Sequence, residues 1–282
     1  MVLFYRADDY LFLYTLFGTL VWRHQLEVEM FCIMFNHIHA CLYAQSEESF
    51  IAFCRDLSSI FTKGYNKEFN RKGKLLMSCG YASKSSGKKQ RSCLIYIANN
   101  PVAGRLVDRA IDYKWNLLAY FVSNHPFSER LVKRNCRFAM RQSLKLADWC
   151  FKEGKYLNYT LLAQLFQRLS SKERNQMIDY IIVKYFFVDK HRLINHFGGI
   201  EKAVMAIDSS AGSEYDLYEP WEDYSVYLSM IRITMDSCID YKQFRFHEMS
   251  RENLRILRRR LSSIKGATDM HIARFLHLEC DI

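Results

Sequence analysis

The chain has 282 residues, a formal net charge of +10 and a sequence pI near 9.1. Half of its residues are hydrophobic, so it can bury a sizeable core, and its length allows two domains of ordinary size. No run of about 18 apolar residues appears, which excludes a membrane-spanning protein, and the positive charge indicates an anionic partner such as nucleic acid.

The nine cysteines are odd in number and form no C-x-x-C pair. Several lie inside apolar segments, as in residues 51–54, which is typical of small buried hydrophobic residues in a reducing compartment. The beginning of the chain lacks the charged start and the small-residue cleavage site of a signal peptide. These features predict a cytoplasmic protein.

The first elements are predicted from hydrophobic pattern and caps. Residues 1–6 predict a short strand, and Asp8 or Asp9 would then cap a helix running to about His24. Residues 25–43 are rich in apolar and β-branched side chains, and they predict one largely buried strand in the middle of a sheet.

His37 and His39 lie two residues apart near the end of this predicted strand. Side chains alternate along a strand, so both imidazoles project from the same face and could chelate one metal ion. The alternative is a pair of polar side chains that meet water at the end of a strand. Inside an apolar segment, however, two imidazoles need hydrogen-bond or metal partners to offset their burial, which favours the metal.

An amphipathic helix follows, beginning at Glu47 or Ser49 and running towards Phe69. Its end leads into a basic segment in which nine Lys and Arg residues accompany a single acid, Glu68. We predict a surface that binds DNA phosphates, with Phe61, Tyr65 and Phe69 available for base stacking. The alternative is a solvated helix end followed by a hairpin. Besides Lys84, the basic residues of the segment, which we assign to DNA binding, are Lys63, Lys67, Arg71, Lys72, Lys74, Lys88, Lys89 and Arg91.

Residues 73–81 predict a further strand, and a short helix would then begin at Ser92 or Cys93 and end before Pro101. Tyr96 and Asn100 lie four apart and would share one helix face. Taken alone, the pair is compatible with a core tyrosine and a C-capping asparagine.

Together, the motifs resemble those of the single-tyrosine HUH transposases, in particular the REP-associated tyrosine transposases. The matching pieces are Phe35-Asn-His-Ile-His-Ala, then Tyr96-Ile-Ala-Asn-Asn-Pro-Val-Ala-Gly-Arg-Leu-Val, then Asp112-Tyr-Lys-Trp. The resemblance covers about residues 4–122. It departs from the family at Phe35, which replaces the usual proline, and at the first strand, which in the family starts well before the position of Met1.

The resemblance implies a fold and an activity. The fold is α+β: a ferredoxin-like HUH domain at residues 1–122, an antiparallel sheet with helices on one face, followed by a mostly α-helical domain at residues 123–282. His37, His39 and Asn100 would bind Mg²⁺ or Mn²⁺, and Tyr96 would attack single-stranded or hairpin DNA to give a 5′-phosphotyrosine. Such a protein would be associated with the nucleoid. Whether it acts alone or as a homodimer that shares active sites is left open by the sequence.

The C-terminal part is almost entirely helical in pattern. Residues 251–278 pair an arginine-rich helix with a segment similar to the first helix of helix-turn-helix modules, which gives a partial module whose arginines would contact phosphates at best.

Two rival functions compete with the transposase. One is a catalytically inactive, domesticated or degraded transposase that still binds single-stranded or hairpin DNA. The other is a metal-binding structural protein, which leaves the tyrosine motif and the net charge unexplained.

Overall fold

The computed structural model describes residues 1–76, 80–84, 86–186, 190–210, 223–237 and 244–278. Over these ranges, twelve α-helices surround one two-stranded antiparallel sheet, so the predicted α+β class is confirmed. The strands are β1 (Glu27–Ile33) and β2 (Ile38–Tyr43). The helices are α1 (Ala7–Arg23), α2 (Glu47–Glu68), α3 (Gly87–Ala103), α4 (Leu117–Val122), α5 (Phe138–Lys152), α6 (Tyr159–Phe166), α7 (Ser171–Tyr185), α8 (Lys190–Phe197), α9 (Ile200–Ser209), α10 (Ser225–Ser237), α11 (Arg251–Ser262) and α12 (Asp269–Leu276).

Helix α1 is the centre of the fold. Its residues from Asp9 to Val21 are all buried, because α2, α6, α7 and β1 pack around it. The Asp9 carboxylate fixes the start of the helix by accepting hydrogen bonds from the backbone N–H groups of Tyr5 and Arg6, both at 2.9 Å. Gly18 allows α7 to come close, since a Cβ there would lie 2.0 Å from a backbone oxygen of α7.

Residues 25–43 form a hairpin, so the prediction of one continuous strand is wrong. The N–H of Met34 donates to the carbonyl of His37 at 2.9 Å, which closes a tight turn between β1 and β2. Strand β1 is almost wholly buried, whereas β2 is partly exposed. The predicted central strand is therefore correct in position for β1 only.

Residues 1–6 are not a strand, contrary to the prediction. The N–H groups of Leu3 and Phe4 both donate to the carbonyl of Phe35, at 2.7 and 3.2 Å, so this segment holds the hairpin turn instead of extending the sheet. An isolated bridge between Cys32 and Asn116 is the other backbone pairing on β1. Within the described ranges the sheet has two strands, and a ferredoxin-like sheet is not formed there.

The elements after the hairpin follow the predicted order with different boundaries. Helix α2 begins after Ser46, whose side chain accepts from the N–H of Ser49, close to the predicted start. Residues 73–76 and 80–81 are not strand, and the middle of that predicted strand, 77–79, lies outside the described residues. Helix α3 is longer than predicted and includes Pro101 in its last turn.

Both sides of residue 122 contribute to one cluster of buried residues. Asn99 on α3 donates to the carbonyl of Ile207 on α9 at 2.8 Å, and the N–H of Leu157 donates to Oγ1 of Thr15 on α1 at 2.9 Å. The division into domains at residue 122 stays a prediction.

The arginine-rich helix and its partner are α11 and α12. Helix α12 is tied to the first residues of the chain: the N–H of Val2 donates to the carbonyl of Arg274 at 3.1 Å, and the Tyr5 hydroxyl donates to the carbonyl of Phe275 at 2.7 Å. The apolar side of α12 therefore serves the core. Among all described helices, none has the length and apolar character needed to cross a membrane.

Candidate active site

The two histidines face each other at the start of β2. His37 is the last residue before the strand and His39 is its second residue, and their Nε2 atoms lie 2.8 Å apart. The imidazole rings are nearly perpendicular, with centroids 4.6 Å apart. The prediction that both rings lie on one face is confirmed, although one residue belongs to the turn rather than to the strand.

Tyr96 and Asn100 lie one turn apart on α3, as predicted. The Tyr96 ring meets the His39 ring edge to face, with centroids 5.4 Å apart. Asn100 is buried; its Nδ2 donates to the carbonyl of Tyr96 at 2.9 Å, and its side chain is also hydrogen-bonded to His39. Because Nδ2 is engaged by the carbonyl, Oδ1 is the atom left to accept from the imidazole. The four predicted site residues therefore form one group.

Burial and the neighbouring His37 lower the pKa of His39 from 6.5 to about 3, although the hydrogen bond with Asn100 opposes the shift. Burial disfavours the charged imidazolium, so His39 is neutral near pH 7. The neutral imidazole is also the form that ligates metal ions.

The donor set fits a metal ion. Nδ1 of His37 lies 2.6 Å from Oδ1 of Asn36, an acceptor, so Nδ1 carries the hydrogen and the Nε2 lone pair points at the Nε2 of His39. Such an outer hydrogen bond is usual for a ligating histidine. Two nitrogen ligands on one ion stand roughly 3 Å apart, which is close to the observed separation.

No group of three or more His, Cys, Asp and Glu side chains that could hold a metal ion occurs in the described ranges. A third protein ligand at the histidine pair would therefore be an amide oxygen, and Asn100 is the amide in contact with the pair. Two imidazoles with oxygen ligands suit Mn²⁺ better than Mg²⁺, because Mg²⁺ prefers oxygen throughout.

A second tyrosine, which the sequence analysis missed, completes one wall of the site. The Tyr224 ring lies 6.2 Å from the His37 ring, and the N–H of Tyr224 donates to the carbonyl of Gly104 at 3.1 Å. A Cβ at Gly104 would lie 2.7 Å from the Tyr224 ring, so glycine permits this packing. Nothing in the local sequence around Tyr224 indicates a position beside the histidines, more than 180 residues earlier in the chain.

The basic residues predicted to contact DNA occupy the C-terminal half of α2, the segment after it and the start of α3. Seven of them are exposed: Lys63, Lys67, Lys72, Lys74, Lys88, Lys89 and Arg91. Arg71 differs, because it is half-buried beside Tyr5 and Tyr65, where its charge lowers the pKa of both phenols against the larger effect of burial.

The aromatic side chains of this segment belong to the core, so the prediction that they stack on bases is wrong. Phe61 and Tyr65 are completely buried, and Phe69 is 2% exposed. Phe61 stacks on Phe12 of α1 at 5.4 Å, and Tyr65 stacks on Phe69 at 4.3 Å. Their spacing on α2 gives the buried stripe, and the lysines lie on the solvent side of the same helix.

Comparison of the chain with family models, curated proteins and solved structures gives no match. The resemblance to tyrosine transposases depends on the motifs and on the geometry of the site.

Proposed function

We propose that the chain is a metal-dependent tyrosine transposase or nuclease of the single-tyrosine HUH kind, which cuts and rejoins single-stranded DNA. One observation carries the proposal: His37, His39, Tyr96 and Asn100 come from two motifs about sixty residues apart, and they meet at one place between β2 and α3. A histidine pair beside a tyrosine matches the chemistry that the sequence motifs imply. The ferredoxin-like HUH fold belongs to this proposal.

His37, His39 and Asn100 would hold the metal ion. When bound there, Mg²⁺ or Mn²⁺ would supply Lewis-acid polarisation of a non-bridging oxygen of the scissile phosphate. His37 is oriented for this role by Asn36, and Asn100 is oriented by the carbonyl of Tyr96. These hydrogen bonds fix the ligand atoms before DNA binds, which reduces the entropy lost on forming the site.

Tyr96 is the nucleophile in this mechanism. Its hydroxyl oxygen forms a bond to phosphorus while the bond from phosphorus to the 3′-oxygen breaks, giving a 5′-phosphotyrosine and a free 3′-hydroxyl. The phenol loses its proton to solvent and the leaving oxygen gains one. Because the phosphotyrosine keeps the bond energy, attack by another 3′-hydroxyl rejoins strands and releases Tyr96.

The exposed cations support a nucleic-acid substrate. Lys88, Lys89 and Arg91 occupy the beginning of α3, and the first turn of this helix has no acidic residue. Positive charge at a helix N-terminus opposes the helix dipole and costs about 0.3–1 kcal/mol per charge. A DNA phosphate bound there would relieve this repulsion and would lie on the same helix as Tyr96.

The deciding experiment uses a pool of single-stranded hairpins with Mn²⁺, with Mg²⁺ or with a chelator, and it detects covalent protein–DNA complexes on denaturing gels. We expect an adduct with metal and none with the chelator, with more product in Mn²⁺ because of the two imidazoles. A His37→Ala, His39→Ala double variant should lose the adduct and keep salt-sensitive DNA binding. Adduct formation by the double variant would remove the histidines from the site.

A second candidate is a DNA-binding protein that no longer cuts. The two-stranded sheet of the described residues favours it, because the resemblance implies a larger sheet. Tight binding of single strands without an adduct, for every hairpin and metal, would establish this candidate in place of the enzyme.

A further inference from the structure

Strand β2 and helix α3 meet through two neighbouring pairs of side chains. His39 and Cys41 are two residues apart on β2, and Cys93 and Tyr96 are three apart on α3, so each pair shares a face of its element. His39 meets Tyr96, and the thiol of Cys41 is hydrogen-bonded to the thiol of Cys93. A dithiol therefore lies directly beside the candidate active site.

The dithiol has a polar setting. Glu29 is the extra residue of a β-bulge in β1; its Oε2 lies 3.5 Å from Sγ of Cys41, and it also pairs with Arg192 at 3.5 Å and His196 at 3.7 Å. Bulges commonly re-aim a side chain in this way. Both cysteines are partly exposed, unlike the small buried residues that the sequence predicts.

Metal binding does not account for this cluster. The described residues, which include Glu29, Cys41, Cys93 and His196, contain no group of three or more His, Cys, Asp and Glu side chains with metal-binding geometry. Thiol chemistry remains, and two thiols in contact are the requirement for forming a disulfide within one chain.

The charge distribution makes Cys93 the more reactive thiol. The hydrogen bond from Cys41 and the charge of Lys84 lower the pKa of Cys93 to about 7, against the opposing effects of burial and Glu29. A thiol of ordinary pKa is only a few per cent ionised at neutral pH, whereas one with a pKa near 7 is about half ionised. The thiolate is the attacking form in disulfide exchange.

We propose that Cys41 and Cys93 are a redox modification site: a low-molecular-weight disulfide oxidises them to an intramolecular disulfide that joins β2 to α3. The Cys93 thiolate attacks the small disulfide, forms a mixed disulfide and releases one small thiol. Cys41 then loses its proton and attacks the Cys93 sulfur, and the second small thiol leaves. The two protein thiols are oxidised, and the small disulfide is reduced to two thiols.

A consequence for activity follows, and it rests on the proposed function. A disulfide brings its sulfur atoms to about 2.05 Å, much closer than two hydrogen-bonded thiols. Closing this distance shifts β2 against α3 one position away from the contact between His39 and Tyr96. A displacement of about 1 Å at a reacting centre can cost about 100-fold in rate, so we expect the adduct rate to fall at least tenfold on oxidation and to recover with dithiothreitol.

The test treats the full chain with oxidised glutathione, alkylates the remaining thiols, and maps disulfides by mass spectrometry of non-reduced peptides. We expect one major linkage, between the peptides of Cys41 and Cys93, and a higher unfolding midpoint that dithiothreitol reverses. Cys93→Ser should abolish both effects. Cys136→Ser is the matched control, because Cys136 is also partly exposed and its thiol contacts the carbonyl of Val132.

Two outcomes overturn the proposal: both thiols stay open to alkylation after oxidation, or either one is linked chiefly to another cysteine. An unchanged adduct rate in protein carrying the mapped disulfide overturns its coupling to the site. The disulfide map needs no DNA, so a chain that forms the linkage but never an adduct refutes the proposed transposase and leaves the modification site established.

Discussion

Tyr96 is the residue on which the enzyme and the non-cutting binder differ most sharply. Tyr96→Phe removes one oxygen and keeps the ring that packs against His39. We expect the covalent adduct to vanish, while the free energy of unfolding changes by about 0.5 kcal/mol or less and DNA affinity stays the same. Denaturing gels, urea unfolding and equilibrium binding measure the three quantities.

Tyr81→Phe is the matched control for this variant. Tyr81 is 56% exposed and its hydroxyl donates to Glu47 at 2.7 Å, so it is the accessible tyrosine that could replace Tyr96 as nucleophile. Tyr65 is unsuitable because it is completely buried. An adduct that survives in Tyr96→Phe and disappears in Tyr81→Phe would reassign the nucleophile.

At the scale of single residues, local spacing predicts part of the site. The periods of strand and helix bring His37 to His39 and Tyr96 to Asn100, and both pairings are confirmed. The contact between Cys41 and Cys93 joins two elements about fifty residues apart, and no local pattern indicates it. Contacts of this kind depend on how α3 packs on the hairpin, which is a property of the tertiary structure.

Among the elements, helix α2 gives the clearest test of DNA binding. Its buried stripe faces the core, and Lys63 and Lys67 are exposed near its end, with Lys72 just beyond. Replacing these three lysines with glutamine should weaken binding to all single strands alike. The slope of log affinity against log salt should become shallower by about 0.7 for each DNA phosphate that is no longer neutralised, or by about 2 for all three.

The matched control replaces Arg141, Lys145 and Lys152 of α5, which are also exposed cations, with glutamine. Both variants remove three positive charges, so a general effect of net charge would change the two slopes equally. A specific surface on α2 changes only the first. Equal slopes in the two variants would exclude the basic segment as the binding surface.

The prediction of elements fails where distant residues decide the structure. The apolar run through β1 and β2 contains no strong turn signal, yet it reverses at Phe35, whose carbonyl is held by Leu3 and Phe4. The sequence predicts that α3 ends before Pro101, but a proline in the last turn removes only one hydrogen bond, and the helix continues to Ala103. Turn and breaker signals in the sequence carry no information about such tertiary hydrogen bonds.

The whole molecule is closed by contacts between the first and last described residues. His277 ends α12 in the left-handed conformation, with φ +58°, and its Nε2 donates to the carbonyl of Val2 at 2.6 Å. The Tyr5 hydroxyl lies 2.8 Å from the same nitrogen. A histidine that joins both ends of the fold makes its overall stability depend on pH.

Burial lowers the pKa of His277 from 6.5 to about 4, and the positive charges of Arg71, the N-terminal amine and His247 act in the same direction. The unfolded chain therefore binds one more proton than the folded chain between these pH values. The stability due to neutral His277 is complete above pH 6.5 and is lost as the pH falls towards 4. At about 1.4 kcal/mol for each tenfold change in proton affinity, this amounts to on the order of 3 kcal/mol. Asp8, whose pKa burial raises to about 6, acts in the opposite sense.

His277→Asn isolates this contribution, because asparagine tolerates the left-handed conformation and does not titrate. At pH 7 the variant should be less stable, having lost the hydrogen bond to Val2 and the neutral imidazole in its buried position. As the pH falls towards 4.5 the wild-type chain should lose stability faster, so the difference should narrow, while Asp8 affects both chains equally. Urea unfolding at several pH values measures the difference, and a gap that stays constant from pH 7 to pH 4.5 would show that His277 does not couple the closure of the fold to protonation.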